Sequence, residues 1–128
     1  MQIENCKMQN IISDRLLNFA IEVIKIIEKL RRSFVGRQIA GQMLRSSTSA
    51  GANYEEACGA ESRLDFLHKL QIVLKELRES IYWLRLITKS GLLPDYNEKV
   101  MDLIREGNEL AKIIGKSVVT AKSNQRGK

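Results

Sequence analysis

Apolar side chains recur along this chain at the three- and four-residue steps of a helix face, and no stretch alternates with the two-residue period of a strand. From Ile12, the positions Leu16, Phe19, Ala20, Val23, Ile26, Ile27 and Leu30 make a continuous stripe. The spacing predicts a first helix over residues 12–32, capped by Ser13 or Asp14 and closed by basic residues. Ile24 widens the stripe, so this helix can touch more than one neighbour. Ser33-Phe34-Val35-Gly36 reads as a short connection in which Gly36 is free to take a positive φ.

Residues 46–59 carry the Ser, Thr and Gly clustering of a loop. Their spacing overrules that composition. Ile39, Ala40, Met43, Leu44, Ser47, Ala50, Gly51, Tyr54, Ala57 and Cys58 share one helix face, and a second helix is expected over residues 37–58 with Gly59 as C′. Small side chains through its middle would let a neighbouring backbone come close. Beside that face Ser49, Asn53 and Glu56 form a polar row.

Ser62 with Asp65 resembles a capping box for a third helix over residues 63–90, whose stripe is Phe66, Leu67, Leu70, Val73, Leu74, Leu77, Ile81, Leu84 and Ile87. Leu64, Ile72, Tyr82, Trp83 and Leu86 fall largely off that stripe, a surplus that suggests contact between subunits. Gly91 is placed to end the helix, and Pro94 stops any continuation. A fourth helix is expected over residues 95–120, capped by Asp95, with Val100, Leu103, Ile104, Gly107, Leu110, Ala111, Ile114 and Val118 on one face. Residues 121–128 read as a basic disordered tail. The expected fold is a single-domain, all-α, antiparallel up-down-up-down four-helix bundle spanning residues 1–128.

Composition supports a helical, folded chain: 44% of its 128 residues are apolar, and there is one Pro. No apolar run of about 18 residues and no secretory signal is visible, so the expected location is the cytoplasm, with no membrane partner. Cys6 and Cys58 have no ligand spacing and read as reduced thiols. The net charge of +6 is unevenly placed. Lys25, Lys29, Arg31, Arg32 and Arg37 gather where the first helix ends, and Lys122, Arg126 and Lys128 lie in a final segment without acids. Such clusters suit a polyanion such as RNA or DNA. The plainer reading is solvation and the favourable placement of cations at a helix C-terminus.

Read together, Arg45, Ser49, Asn53 and Glu56, set among small residues, resemble the signature helix of a known family. Its members are four-helix-bundle proteins encoded in intervening sequences of bacterial 23S ribosomal RNA genes, often labelled ribosomal-protein-like. Ser62-Arg63 and Asp65-Phe66 match the turn and helix start that follow in that family, and Glu79 with Tyr82 and Gly91-Leu92-Leu93 match later features. The likeness covers about residues 12–118; Ala57 and Ile81 depart from it, standing where Gly and a second acid are usual. It implies a homopentamer around a central channel and no enzymatic activity. It also implies kinship with basic pentamers that accompany diversity-generating reverse transcriptases and bind nucleic acid and the polymerase.

Candidate chemistry is sparse. Arg45, Asn53 and Glu56 can hold a ligand or line a subunit contact, or form a satisfied network with Ser49 that fixes helix register; Glu79 joins this set by the resemblance. His68 is the only His, three residues after Asp65, and a carboxylate-bundle metal site would need more. Neither Cys has a base beside it in sequence, and there is no phosphate-binding Gly-rich loop. The sequence therefore reads as a non-enzymatic oligomeric bundle without cofactor or metal, meeting RNA, DNA or a nucleic-acid enzyme. The alternative is a protein-interaction scaffold with no nucleic-acid partner.

Overall fold

The computed structural model describes residues 3–126, and among them there are four α-helices and no strand. They are α1 (Ile3–Leu30), α2 (Phe34–Cys58), α3 (Arg63–Ser90) and α4 (Asn97–Arg126), with a short 3-10 turn at Pro94–Tyr96 before α4.

Helix α1 starts nine residues ahead of the expected position 12. Nothing between Ile3 and Ile12 stops it, since the segment has neither Pro nor Gly. Ser13 is therefore interior rather than a cap, and its hydroxyl donates to the Glu55 carboxylate on α2. Helix α2 starts at Phe34, three residues early, because Ser33 is the N-cap: its Oγ accepts the Gly36 N–H at 2.9 Å. Gly36 does not take the positive φ expected of it. It is buried in the first turn, where a Cβ would run into the Leu30 carbonyl. The residue is needed for closeness, not for conformational freedom.

Gly59 ends α2 at φ −97°, outside the left-handed region expected of a C′ glycine. Gly91 does adopt it, at φ 72°. There the Leu92 N–H reaches the Ile87 carbonyl at 3.3 Å and the Gly91 N–H the Thr88 carbonyl at 3.4 Å, the paired bonds of a Schellman ending. Ser62 caps α3 as read, accepting from the Asp65 N–H at 3.0 Å. Asp95 instead falls inside the 3-10 turn, and α4 begins at Asn97. That helix continues through residues 121–126, where a disordered tail was expected. Ala121 packs against the core and helps hold the last turns in place.

All four helices feed one core. Leu16, Phe19 and Val23 of α1 meet Met43 and Ala50 of α2, Leu70, Val73, Leu77 and Leu84 of α3, and Val100, Leu110 and Ile114 of α4. Helix α1 packs against α2 and α4, and α3 against the same two. On α2 the buried middle is small, with Ala50, Ser46 and Ser47 all fully enclosed. A Cβ on Gly51 would stand 3.8 Å from Leu16 Cβ, an ordinary contact. Gly107 of α4 is tighter: a Cβ there would meet Ile81 Cγ1 at 2.9 Å and Phe19 Cε1 at 3.3 Å.

Candidate functional site

Two groups of polar side chains stand out, one between α2 and α3 and one at the end where α1 hands over to α2. The first is centred on Arg45. Its guanidinium donates to Glu76 at 3.2 Å, to Glu79, and to Gln42 Oε1 at 3.3 Å. Glu79 also accepts the Trp83 indole N–H at 3.3 Å. Glu76 is nearly enclosed, its side chain 8% exposed, while Arg45 remains half open to solvent. At the next residue on each helix the Ser46 and Ser80 hydroxyls pair at 2.7 Å with no exposure, and the Ser47 hydroxyl is buried without a partner.

The expected polar row does not act as one site. The Asn53 side-chain amide donates to the carbonyl and hydroxyl of Ser49, at 2.9 and 3.0 Å, and so is satisfied within α2. Glu56 pairs with Lys69 of α3 at 3.1 Å. Of the expected set, Ser49 and Asn53 meet within α2, and Arg45 and Glu79 meet across α2 and α3, as the resemblance implied; the two pairs are separate. Glu76, Ser46 and Ser80 were missed, though the signal was available: Glu76 and Ser80 interrupt the α3 stripe between Val73 and Leu84, on core positions.

No group of three metal-ligating side chains occurs among the described residues, and His68 is exposed. Cys58 is half-buried beside Tyr54. Burial pushes the Cys58 thiol up, outweighing the lowering effect of its hydrogen bond with Tyr54. Burial likewise drives the Tyr54 hydroxyl upward. A thiol so placed is a poor nucleophile.

The second group gathers Lys25, Lys29, Arg31, Arg32 and Arg37 at one end of the molecule, with Lys99 of α4 joining them. Lys25 pairs with Glu22 at 2.8 Å, and Lys99 reaches the same carboxylate at 3.6 Å. The hydrogen bond from Lys25, ahead of the nearby charges, holds the Glu22 carboxyl below the usual carboxylate range. Arg31 pairs with Glu28 at 3.1 Å, and Arg37 donates to the Arg31 carbonyl at 3.3 Å. The Lys29 ammonium lies 5.4 Å from the centre of the Tyr96 ring. Two adjoining hollows, about 380 and 350 Å³, share Glu28, Lys29 and Tyr96.

Lys122 is not part of this end. It lines a separate groove with Lys75 and Arg78, toward the far terminus of α4. Arg126 closes α4, and Lys128 lies outside the described residues.

The apolar surplus also moves. On α3, Trp83 and Leu86 pack on the core, leaving Leu64 and Tyr82 exposed. Helix α1 exposes Leu17, Ile21 and Ile24 at steps of four and three, and the neighbouring α2 exposes Leu44, which the stripe had placed inside.

A family described as the 23S rRNA-intervening sequence proteins matches residues 8–116. Among solved structures, the chain is similar to a protein of unknown function from the S23 ribosomal protein family of Bacteroides thetaiotaomicron VPI-5482. Identity is 34%, over 84% of this chain and 97% of that one, with a TM-score of 0.75. No protein of curated function matches.

Proposed function

The chain belongs to the 23S rRNA-intervening sequence protein family, and on that footing we propose that it is a non-enzymatic, oligomeric, antiparallel four-helix bundle whose basic end contacts RNA or DNA in the cytoplasm. The helix directions are supported by the cross-helix pairs. Arg15 meets Glu106 while Glu22 meets Lys99, and Arg45 meets Glu76 while Glu56 meets Lys69, so numbering falls on one helix as it rises on its neighbour. The homopentamer is taken from the family resemblance.

One observation carries the nucleic-acid reading: Lys25, Lys29, Arg31, Arg32 and Arg37 share one end with Lys99. Contacts there would be to phosphates, giving little sequence discrimination. Affinity for arbitrary RNA and DNA, measured across a salt series, should fall steeply. Neutralising about five phosphates predicts a log–log slope of about −3.5 for single strands and about −4.5 for duplex DNA. Absence of binding at low salt, or binding that survives charge reversal of those five residues, would sink the proposal.

A second reading, a protein-interaction scaffold, is favoured by Leu17, Ile21 and Ile24 exposed along one face of α1. Capture of a specific protein partner that persists after nuclease treatment would support it over the first.

A further inference from the structure

Tyr96 closes the 3-10 turn that Pro94 opens, and its half-buried ring forms part of the wall of both hollows at the basic end. Each hollow falls within the range of about 300–1,000 Å³ common for small-ligand sites. The cations around the ring differ in availability. Lys25 and Lys99 are both tied to Glu22, and Arg31 to Glu28. Among the described residues, neither Lys29 nor Arg32 forms an ion pair. Lys29 instead rests against the ring face at 5.4 Å, and Arg32 lines the larger hollow.

A bare phosphate has no use for an aromatic face. An aromatic ring beside two cations without carboxylate partners is the arrangement that takes a base in stacking contact: the base displaces Lys29 from the ring face, and the freed ammonium and the Arg32 guanidinium take the phosphates. Resting on the reading that this end meets nucleic acid, we propose that Tyr96 is a stacking platform for an unpaired nucleobase, with Lys29 and Arg32 holding the adjacent phosphates. The cleft then takes a single strand in preference to a duplex, whose bases are already stacked on one another and cannot reach the ring.

The test is fluorescence anisotropy at low salt, using the full chain with a labelled single-stranded RNA and a duplex of the same sequence. The single strand should bind more tightly. Tyr96→Ala should weaken single-strand binding by roughly five- to 150-fold, leave duplex binding within about twofold, and Tyr96→Phe should retain wild-type behaviour. Tyr96→Leu keeps apolar bulk against the core, so its agreement with Tyr96→Ala separates loss of stacking from a loosened turn. The inference is overturned if Tyr96→Ala leaves single-strand affinity unchanged or weakens both forms equally. If charge reversal at Lys29 and Arg32 still weakens binding in that case, the basic-end reading survives without the stacking platform. Failure of both RNAs to bind wild type would remove the underlying reading itself.

Discussion

Alanine at Gly107 and at Gly115 should act in opposite directions, although both glycines sit inside α4. A Cβ at 107 would press on Ile81 and Phe19, whereas at 115 it meets nothing within 4 Å. Gly115→Ala should stabilise by roughly 0.5–1 kcal/mol through helix propensity, and Gly107→Ala should destabilise by about 1–3 kcal/mol through overpacking. Chemical denaturation of the two variants checks both signs. Arg45 offers a second case. Arg45→Ala strips the partner from enclosed Glu76 and should cost roughly 1–3 kcal/mol, with the Arg45→Ala/Glu76→Gln double variant recovering part of the loss. At Cys58, burial raises the thiol, so little thiolate is present at neutral pH. With Cys6 replaced by serine, iodoacetamide should label the native chain more slowly than the unfolded one, and the native rate should keep rising at a pH where the unfolded rate has levelled off. Part of this was legible in the sequence: Gly107 falls on the apolar stripe of α4 and Gly115 does not, and Glu76 stands at a core position of the α3 stripe. The contacts that set the signs, Ile81 and Phe19 at Gly107 and Arg45 at Glu76, become visible only when the facing helices are known.

At the scale of elements the sequence was far more informative. Periodicity placed all four helices, and Ser62 and Gly91 begin and end α3 as their chemistry requires. What it missed has a common cause. A helix continues until something stops it, so the first apolar stripe at Ile12 marks where burial begins, not where the helix does. Gly36 misled for a related reason: glycine marks either a turn or a close approach, and the α1 terminus that requires the approach is not visible locally. Ser33→Ala should therefore cost about 1 kcal/mol by removing the true N-cap of α2. Ser13→Ala should cost less, because Ser13 lies within α1 and makes only an exposed contact to Glu55; thermal melts of the two variants compare them.

For the whole molecule, the arrangement separates two surfaces. The cationic end lies at the α1–α2 connection, while apolar exposure runs along α1 through Leu17, Ile21 and Ile24. If the proposed oligomer forms through this face of α1, Ile21→Glu should shift the particle to a smaller mass in light scattering without unfolding the subunit, since Ile21 is 42% exposed and no core residue is lost. Charge reversal at Lys29 and Arg32 should leave that mass unchanged. The positive clusters were legible as a list of residues. The sequence could not show that Lys99 joins the first cluster or that Lys122 lies elsewhere, because both facts depend on how α4 runs beside α1 and α3.

The Ser46–Ser80 pair bears on how the rods choose their alignment. Hydrocarbon contacts are nearly indifferent to a slide of α2 by one turn, which would bring Met43 or Ala50 to the level of Ser80 and still bury apolar area. The hydroxyls are not indifferent. Such a slide would part Ser80 from Ser46 and Glu76 from Arg45 in a dry interior, where each unmet polar group carries a penalty of about 1–3 kcal/mol, while Ser46 would keep only its bond to the Met43 carbonyl of its own helix. The two serines thus work as a vernier: they add little grip between α2 and α3 but favour one setting.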